Sequence, residues 1–133
     1  MADRTVTRSI ETDASLALLL DVLQDASAIP QWAPAFADQV KAQSDGRYAV
    51  TKGPNSFRLR VAVERSSGCV DYLREMEPGV EGGAYIRAFP RPRGGSVIVM
   101  TAPLGPAADA ETVGKELRSE LENLVELVGA GGG

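Results

Sequence analysis

The end of the chain imposes the strongest constraint on the fold. Ala110, Val113, Leu117, Leu121, Leu124 and Val128 recur at helical spacing and form a single apolar stripe, with Glu116, Arg118, Glu120, Glu122 and Glu126 mostly off it. A long helix with one stripe needs one apolar surface to lie on. The residues before it supply a sheet, because from Gln39 to Thr101 the periodicity is two. Gln39–Ser44 and Arg47–Lys52 flank the hairpin dipeptide Asp45-Gly46, and Phe57, Leu59, Val61 and Val63 then alternate with polar neighbours. Turn signals at Ser66-Ser67-Gly68, Glu77-Pro78-Gly79 and Pro90–Gly95 divide the rest into about six short strands in all. Pro103 and Pro106 end the run, the long helix starts near Ala107, and Gly129 is expected to stop it before a frayed Gly131–Gly133 tail.

Two elements precede this meander. Thr5, Thr7 and Ser9 alternate with Val6, Arg8 and Ile10 as an edge-like strand. Leu16, Leu19, Leu20 and Leu23 then mark a helix capped by Thr12 or Asp13. Pro30 and Pro34 bracket Gln31-Trp32-Ala33 in a tight connector. The order predicts an α+β fold in which a curved antiparallel sheet of about six to seven strands wraps the terminal helix, leaving a space between them. One domain is expected over residues 1–133, with a structured core at 5–128 and a flexible tail at 129–133.

Residue types narrow the chemistry. There is no histidine, which removes Ser-His-Asp and Cys-His catalysis and histidine metal sites, and a single cysteine, Cys69, allows no intrachain disulfide or cysteine zinc cluster. No metal or cofactor is expected. A net charge of -4 argues against nucleic acid as a partner. No apolar run is long enough for membrane insertion, and no apolar region follows the charged start, so a cytoplasmic protein is expected.

A resemblance extends these readings. Ser9-Ile10, Leu19, Leu23 and Asp25, followed by Ile29-Pro30-Gln31-Trp32-Ala33-Pro34, are similar to the first strand, first helix and Asp…Pro-x-Trp connector of the SRPBCC superfamily. This is the helix-grip or birch-pollen-allergen-like group, here in its polyketide cyclase/dehydrase and lipid-transport branch. Gly68-Cys69-Val70-Asp71, Arg87-Ala88-Phe89-Pro90 and Gly95-Ser96-Val97 resemble its mid-sheet strand starts, and Glu120–Leu124 its closing helix. The resemblance implies a helix-grip fold. It further implies binding of lipids, hormones, polyketides or other apolar small molecules, with cyclisation or dehydration in a minority of members. Where relatives often carry a polar or histidine residue after the Gly-x-x-Asp stretch, this chain has Tyr72.

Hairpins centred on Ser66-Ser67, Gly79 and Pro92-Arg93 place Leu59, Val61, Val63, Val70, Tyr72, Ile86, Val97, Val99 and Thr101 on one sheet face. Arg58, Arg60, Asp71, Leu73, Glu75, Tyr85, Arg87, Ile98 and Met100 fall on the other. The first face is apolar and is expected to meet the helix; the second pairs Arg58 with Glu75 and Asp71 with Arg87. Candidate ligand-binding residues are therefore Trp32, Phe36, Leu59, Val61, Tyr72, Arg74, Ile86, Val99, Thr101, Val113, Leu117 and Leu121. Arg74 either meets a ligand carboxylate or phosphate or extends into water, and Tyr72 bonds either a ligand or a backbone group. Gly114 makes room for a ligand or for close helix–sheet contact.

Three functions remain in play. The first is binding of an apolar small molecule without chemistry. The second is an aromatase, cyclase or dehydratase, for which the inward set offers only Tyr72, Arg74 and Thr101. The third is a homodimeric interaction module whose grip is filled by large side chains, with Leu73, Tyr85, Ile98 and Met100 in the contact face.

Overall fold

The structure is a computed structural model that describes residues 4–132; Met1–Asp3 and Gly133, the last residue of the expected tail, lie outside the described residues. Strand β1 (Arg4–Thr12) leads to α1 (Leu16–Gln24), a 3-10 turn (Ala26–Ala28) and the short α2 (Ile29–Trp32). The meander follows as β2 (Gln39–Ala42), β3 (Tyr48–Lys52), β4 (Asn55–Glu64), β5 (Cys69–Glu77), β6 (Val80–Pro90) and β7 (Ser96–Leu104), and α3 (Ala110–Gly132) closes the chain. The seven strands form one antiparallel sheet in the order β1-β7-β6-β5-β4-β3-β2. Sequence neighbours pair throughout except that β1 returns to β7, so β1 and β2 are the two edges.

Local chemistry sets the ends of the helices. Strand β1 runs to Thr12, which pairs with Ser96, and this moves the cap of α1 from the predicted Thr12 or Asp13 to Ser15. The Ser15 hydroxyl accepts a hydrogen bond from the Leu18 N–H at 3.2 Å, while Thr12 accepts one from Ala14 within the turn. Asp109 does the same for α3, accepting from Thr112 N–H at 3.2 Å, so the helix starts at Ala110 rather than Ala107. Gly129 does not stop α3, because it is not in the left-handed conformation that a glycine stop uses.

One cluster of buried residues joins the sheet to the helices. Leu19 and Leu23 from α1, Leu59, Val70, Ile86 and Ile98 from the sheet, and Leu121 and Leu124 from α3 are each fully buried. The β4–β5 register pairs Val63 with Val70, as a hairpin centred on Ser66-Ser67 requires. The β6–β7 register pairs Pro90 with Ser96 around the loop Arg91–Gly95, in which Gly94 and Gly95 take positive φ. This turn is one residue longer than a hairpin centred on Pro92-Arg93, and a one-residue slip reverses every side chain of the strand. Ser96, Ile98 and Met100 therefore face the helix, and Val97, Val99 and Thr101 face outward, the reverse of the expectation for β7.

The outer face holds its charges in pairs. Arg87 Nη1 lies 2.6 Å from Asp71 Oδ1 as expected, but Arg58 pairs with Asp45 rather than Glu75, and Arg60 with Glu81 at 2.7 Å. Each of these exposed pairs contributes about 1 kcal/mol at most. With Ile98 and Met100 in the core and Leu73 buried as well, the apolar contact face expected for a dimer keeps only Tyr85 of its four members.

Candidate functional site

The candidate residues fall into three sets. Trp32, Leu59, Tyr72, Ile86, Leu117 and Leu121 are buried in the shared core. Phe36, Val61, Arg74 and Val113 are half-buried. Val99 and Thr101 lie on the outer face, where the Thr101 hydroxyl is 2.8 Å from that of Thr7, and the register places them away from the helix.

Inside the grip, side chains occupy the space. The Trp32 and Tyr72 rings meet at 5.8 Å with 46° between their planes. The Tyr72 hydroxyl donates to the Leu23 carbonyl at the end of α1, so of its two sequence readings the backbone-tied tyrosine is the one adopted. Burial, and then the nearby Asp25 carboxylate, push its phenol well above the ordinary range, so it stays protonated at any working pH. Tyr72→Phe removes the hydroxyl and leaves that buried carbonyl short of a donor. The expected result in urea unfolding is a loss of about 1–2 kcal/mol. An unchanged midpoint would show that the bond contributes nothing.

Two of the half-buried residues, Phe36 and Arg74, meet on Phe57 beside the pair that Leu59 on β4 makes with Arg74 on β5. The Arg74 guanidinium lies 4.6 Å over the Phe57 ring, and Phe57 packs edge-on against Phe36 at 5.4 Å. Opposite Arg74 on β6 is Gly82, which has no side chain to fill the space beside the guanidinium. Arg60 and Arg87 are each tied to a carboxylate, whereas Arg74 has no carboxylate partner among the described side chains. Phe57 was outside the candidate set, although its parity with Leu59 and Val61 on β4 already placed it on the inner face. An aromatic shelf carrying an unpaired cation suits a planar or apolar molecule with an anionic end.

Of its two expected roles, Gly114 takes the close helix–sheet contact. A Cβ at this position would lie 2.2 Å from Arg8 Nη2, so the missing side chain seats the Arg8 guanidinium between β1 and α3.

Clefts lie elsewhere on the surface. One of 560 Å³ runs between the β1–α1 turn and the end of α3, beside Leu18, Arg91 and Val128. Another, of 300 Å³, runs between the proline-bracketed connector and α3. In that second cleft burial, reinforced by Glu116 one turn earlier, pushes the Glu120 carboxyl up to about 7. The acids that an enzymatic reading would want inside are not there: Glu64 and Glu75 are exposed, and Asp71 is held by Arg87 on the outer face.

The architecture matches solved structures at low sequence identity. Over 96% of this chain and 94% of that one, the Zhui aromatase/cyclase from Streptomyces sp. R1128 superposes with a TM-score of 0.67 at 17% identity. A START superfamily protein from Mycobacterium smegmatis does so over 97% of each chain, with a TM-score of 0.61 at 18% identity. The di-domain aromatase/cyclase StfQ of the steffimycin biosynthetic pathway gives 0.69 at 14% identity over 92% of this chain, which spans 44% of that protein. No protein-family model and no curated protein sequence matches the chain. The shared fold is the helix-grip fold, in which a curved antiparallel sheet wraps one long terminal helix.

Proposed function

We propose that the protein is a cytoplasmic binder of an amphipathic small molecule, with an apolar, lipid-, isoprenoid- or polyketide-like body and an anionic head, and that it performs no chemistry on it. The observation that carries this reading is the Phe36–Phe57–Arg74 shelf, an unpaired guanidinium stacked on a half-buried ring at the end of the grip. The apolar body lies against Phe36, Phe57 and Val61, and the head meets Arg74. Buried Leu59, Ile86, Leu117 and Leu121 back the shelf and hold the helix and sheet at a fixed spacing. The fold that the chain shares with an aromatase/cyclase and a START superfamily protein is consistent with such a role.

The test uses a matched pair of probes, 9-anthracenecarboxylate and 9-anthracenecarboxamide, measured by calorimetry. The expected result is a preference of about tenfold for the carboxylate, equivalent to about 1.4 kcal/mol, that disappears in Arg74→Gln. Equal affinities in the unmutated protein, or a preference that survives the substitution, would remove Arg74 from the site.

One observation favours a second reading. The grip interior is occupied by Trp32, Tyr72 and the leucines around them, as a homodimeric interaction module with a filled grip would have it. A protein that runs as a dimer and ignores both probes would support that reading.

A further inference from the structure

The two edges of the sheet are not alike. β2 has 4 residues, whereas β1 has 9 and pairs with β7 from Arg4–Leu104 to Thr12–Ser96 without a register shift. Among the described residues no strand covers the other side of β1. The alternation of hydrogen bonds across the sheet decides which of its groups point there. The Ala88 N–H bonds the Gly68 carbonyl, so even-numbered residues of β6 turn to β5. The Arg91 N–H, just past the end of β6, bonds the Gly95 carbonyl, so odd-numbered residues turn to β7. Carried through the β6–β7 and β1–β7 registers, the same alternation turns Arg4, Val6, Arg8, Ile10 and Thr12 to β7. The N–H and C=O groups of Thr5, Thr7, Ser9 and Glu11 therefore face the open edge. All four residues are exposed. The Thr7 carbonyl accepts from Arg8 Nη1 at 2.9 Å, which leaves that oxygen a second lone pair. A long edge without a bulge or a proline is open to pairing with another strand.

We propose that β1 is a homodimer interface, at which the β1 edges of two copies pair antiparallel about a twofold axis at Thr7 and join two sheets into one. The open-edge groups fix the parity: Thr5, Thr7, Ser9 and Glu11 of one copy have to oppose members of the same set in the other. With the axis at Thr7, Thr5 opposes the partner's Ser9 and Thr7 opposes the partner's Thr7, each such pair exchanging both of its N–H···O bonds. The outer face of the junction then carries only small hydroxyls, which pair well across strands. The inner face sets Val6 opposite the partner's Arg8 and Arg4 opposite the partner's Ile10. Sliding one strand by two residues keeps the parity but sets Arg8 against the partner's Arg8, or Arg4 against it, and like charges directly opposite are unfavourable.

The charges on α3 favour the same register. Arg4 Nη2 donates to the Ala108 carbonyl at 2.7 Å, and the Arg8 guanidinium sits at Gly114, so β1 and α3 run side by side in the same direction. Val6 lies midway between the two arginines, level with Glu111, which lies midway between Ala108 and Gly114. Glu111 is three residues before Gly114 and so shares its side of the helix. Its side chain is 78% exposed, and its one partner is Lys115 at 3.4 Å, a surface pair of small energetic weight. Because the partner's Arg8 stands opposite Val6, it arrives at the flank of α3 that carries Glu111. The twofold axis makes this contact twice.

The test is sedimentation equilibrium of the full chain over a concentration series up to about 1 mM, with far-UV circular dichroism as the check on folding. The unmodified chain is expected to form a dimer. Thr7→Pro removes an edge N–H that β7 does not use, which an edge strand tolerates, and is expected to be monomeric with its circular dichroism unchanged. Two charge variants test the register while keeping every backbone N–H. Thr5→Lys with Ser9→Lys sets lysines opposite one another and is expected to weaken the dimer at least about tenfold, as is Thr5→Glu with Ser9→Glu. An equimolar mixture of the two is expected to recover a mixed dimer, counted by native mass spectrometry with one variant isotope-labelled. An unmodified chain that stays monomeric throughout, a dimer that survives Thr7→Pro, or a mixture without a mixed dimer would each overturn the edge interface. Arg74 lies on β5, separated from β1 by β7 and β6, so the outcome is independent of probe binding at the shelf.

Discussion

Gly68→Ala is expected to cost about 3 kcal/mol or more, lowering the urea midpoint without changing the slope. Gly68 closes the turn between β4 and β5 at φ +69°, and its N–H bonds the Arg65 carbonyl at 3.1 Å. An alanine pays about 1–2 kcal/mol for that left-handed conformation alone. The larger part is steric: its Cβ would lie 1.9 Å from the Ala88 carbonyl oxygen. That oxygen belongs to the backbone of β6, which is fixed by the Ala88 N–H bond to the Gly68 carbonyl at 2.8 Å, so neither side yields without breaking the strand contact. Gly53→Ala is the matched control. Its φ of +56° carries the same conformational cost, but no atom lies within 4 Å of the added carbon, so it is expected to lose only about 1 kcal/mol. Equal losses at the two positions would mean that the close approach at β6 contributes nothing.

Leu121→Ala is expected to destabilise the fold by about 2–5 kcal/mol. Leu121 is fully buried at the centre of the α3 stripe, between Leu117 and Leu124, where helix and sheet share one core. Removing most of its side chain leaves a cavity that the surrounding strands cannot close, because their register is held by hydrogen bonds on both sides. Leu18→Ala on α1 serves as the reference. Leu18 is 41% exposed, and the same truncation there is expected to cost less than about 1 kcal/mol. A loss at Leu121 as small as that at Leu18 would contradict the central role assigned to the stripe.

The stripe also explains why the architecture could be read from residue order. Helical and twofold periodicities are local patterns, and a single stripe after an uninterrupted meander leaves few places for the helix to lie. The faces of β4, β5 and β6 followed from turns whose centres are marked by Ser66-Ser67 and Gly79. The second of these was displaced by an even number of residues, with an irregularity at Glu75–Glu77, and so kept its parity. The face of β7 did not follow. Pro90-Arg91-Pro92-Arg93-Gly94-Gly95 contains several turn-forming residues and does not state its own length, and one extra residue sent Val99 and Thr101 outward and Ile98 and Met100 inward.

The site was legible only where strand parity decided it. Arg74 and Phe57 share an inner face by alternation, but that the guanidinium stacks on the ring depends on Gly82 across the sheet and on Phe36 reaching over from the connector. The commitment of Tyr72 to Leu23 is a contact between residues 49 positions apart, which no local pattern encodes. Glu120 reads in the sequence as a solvent-side residue off the stripe. It lines a cleft with Pro34 and Ala35 of the connector, a tertiary arrangement that periodicity does not reveal.

The central claim is that one amphipathic molecule binds at the Phe36–Phe57–Arg74 shelf. Native mass spectrometry of the purified chain with 9-anthracenecarboxylate tests it most directly. The account predicts a complex of one probe per chain that is lost in Arg74→Gln. A chain that stays free of the probe at every concentration, or that binds it equally well without the Arg74 guanidinium, would contradict it.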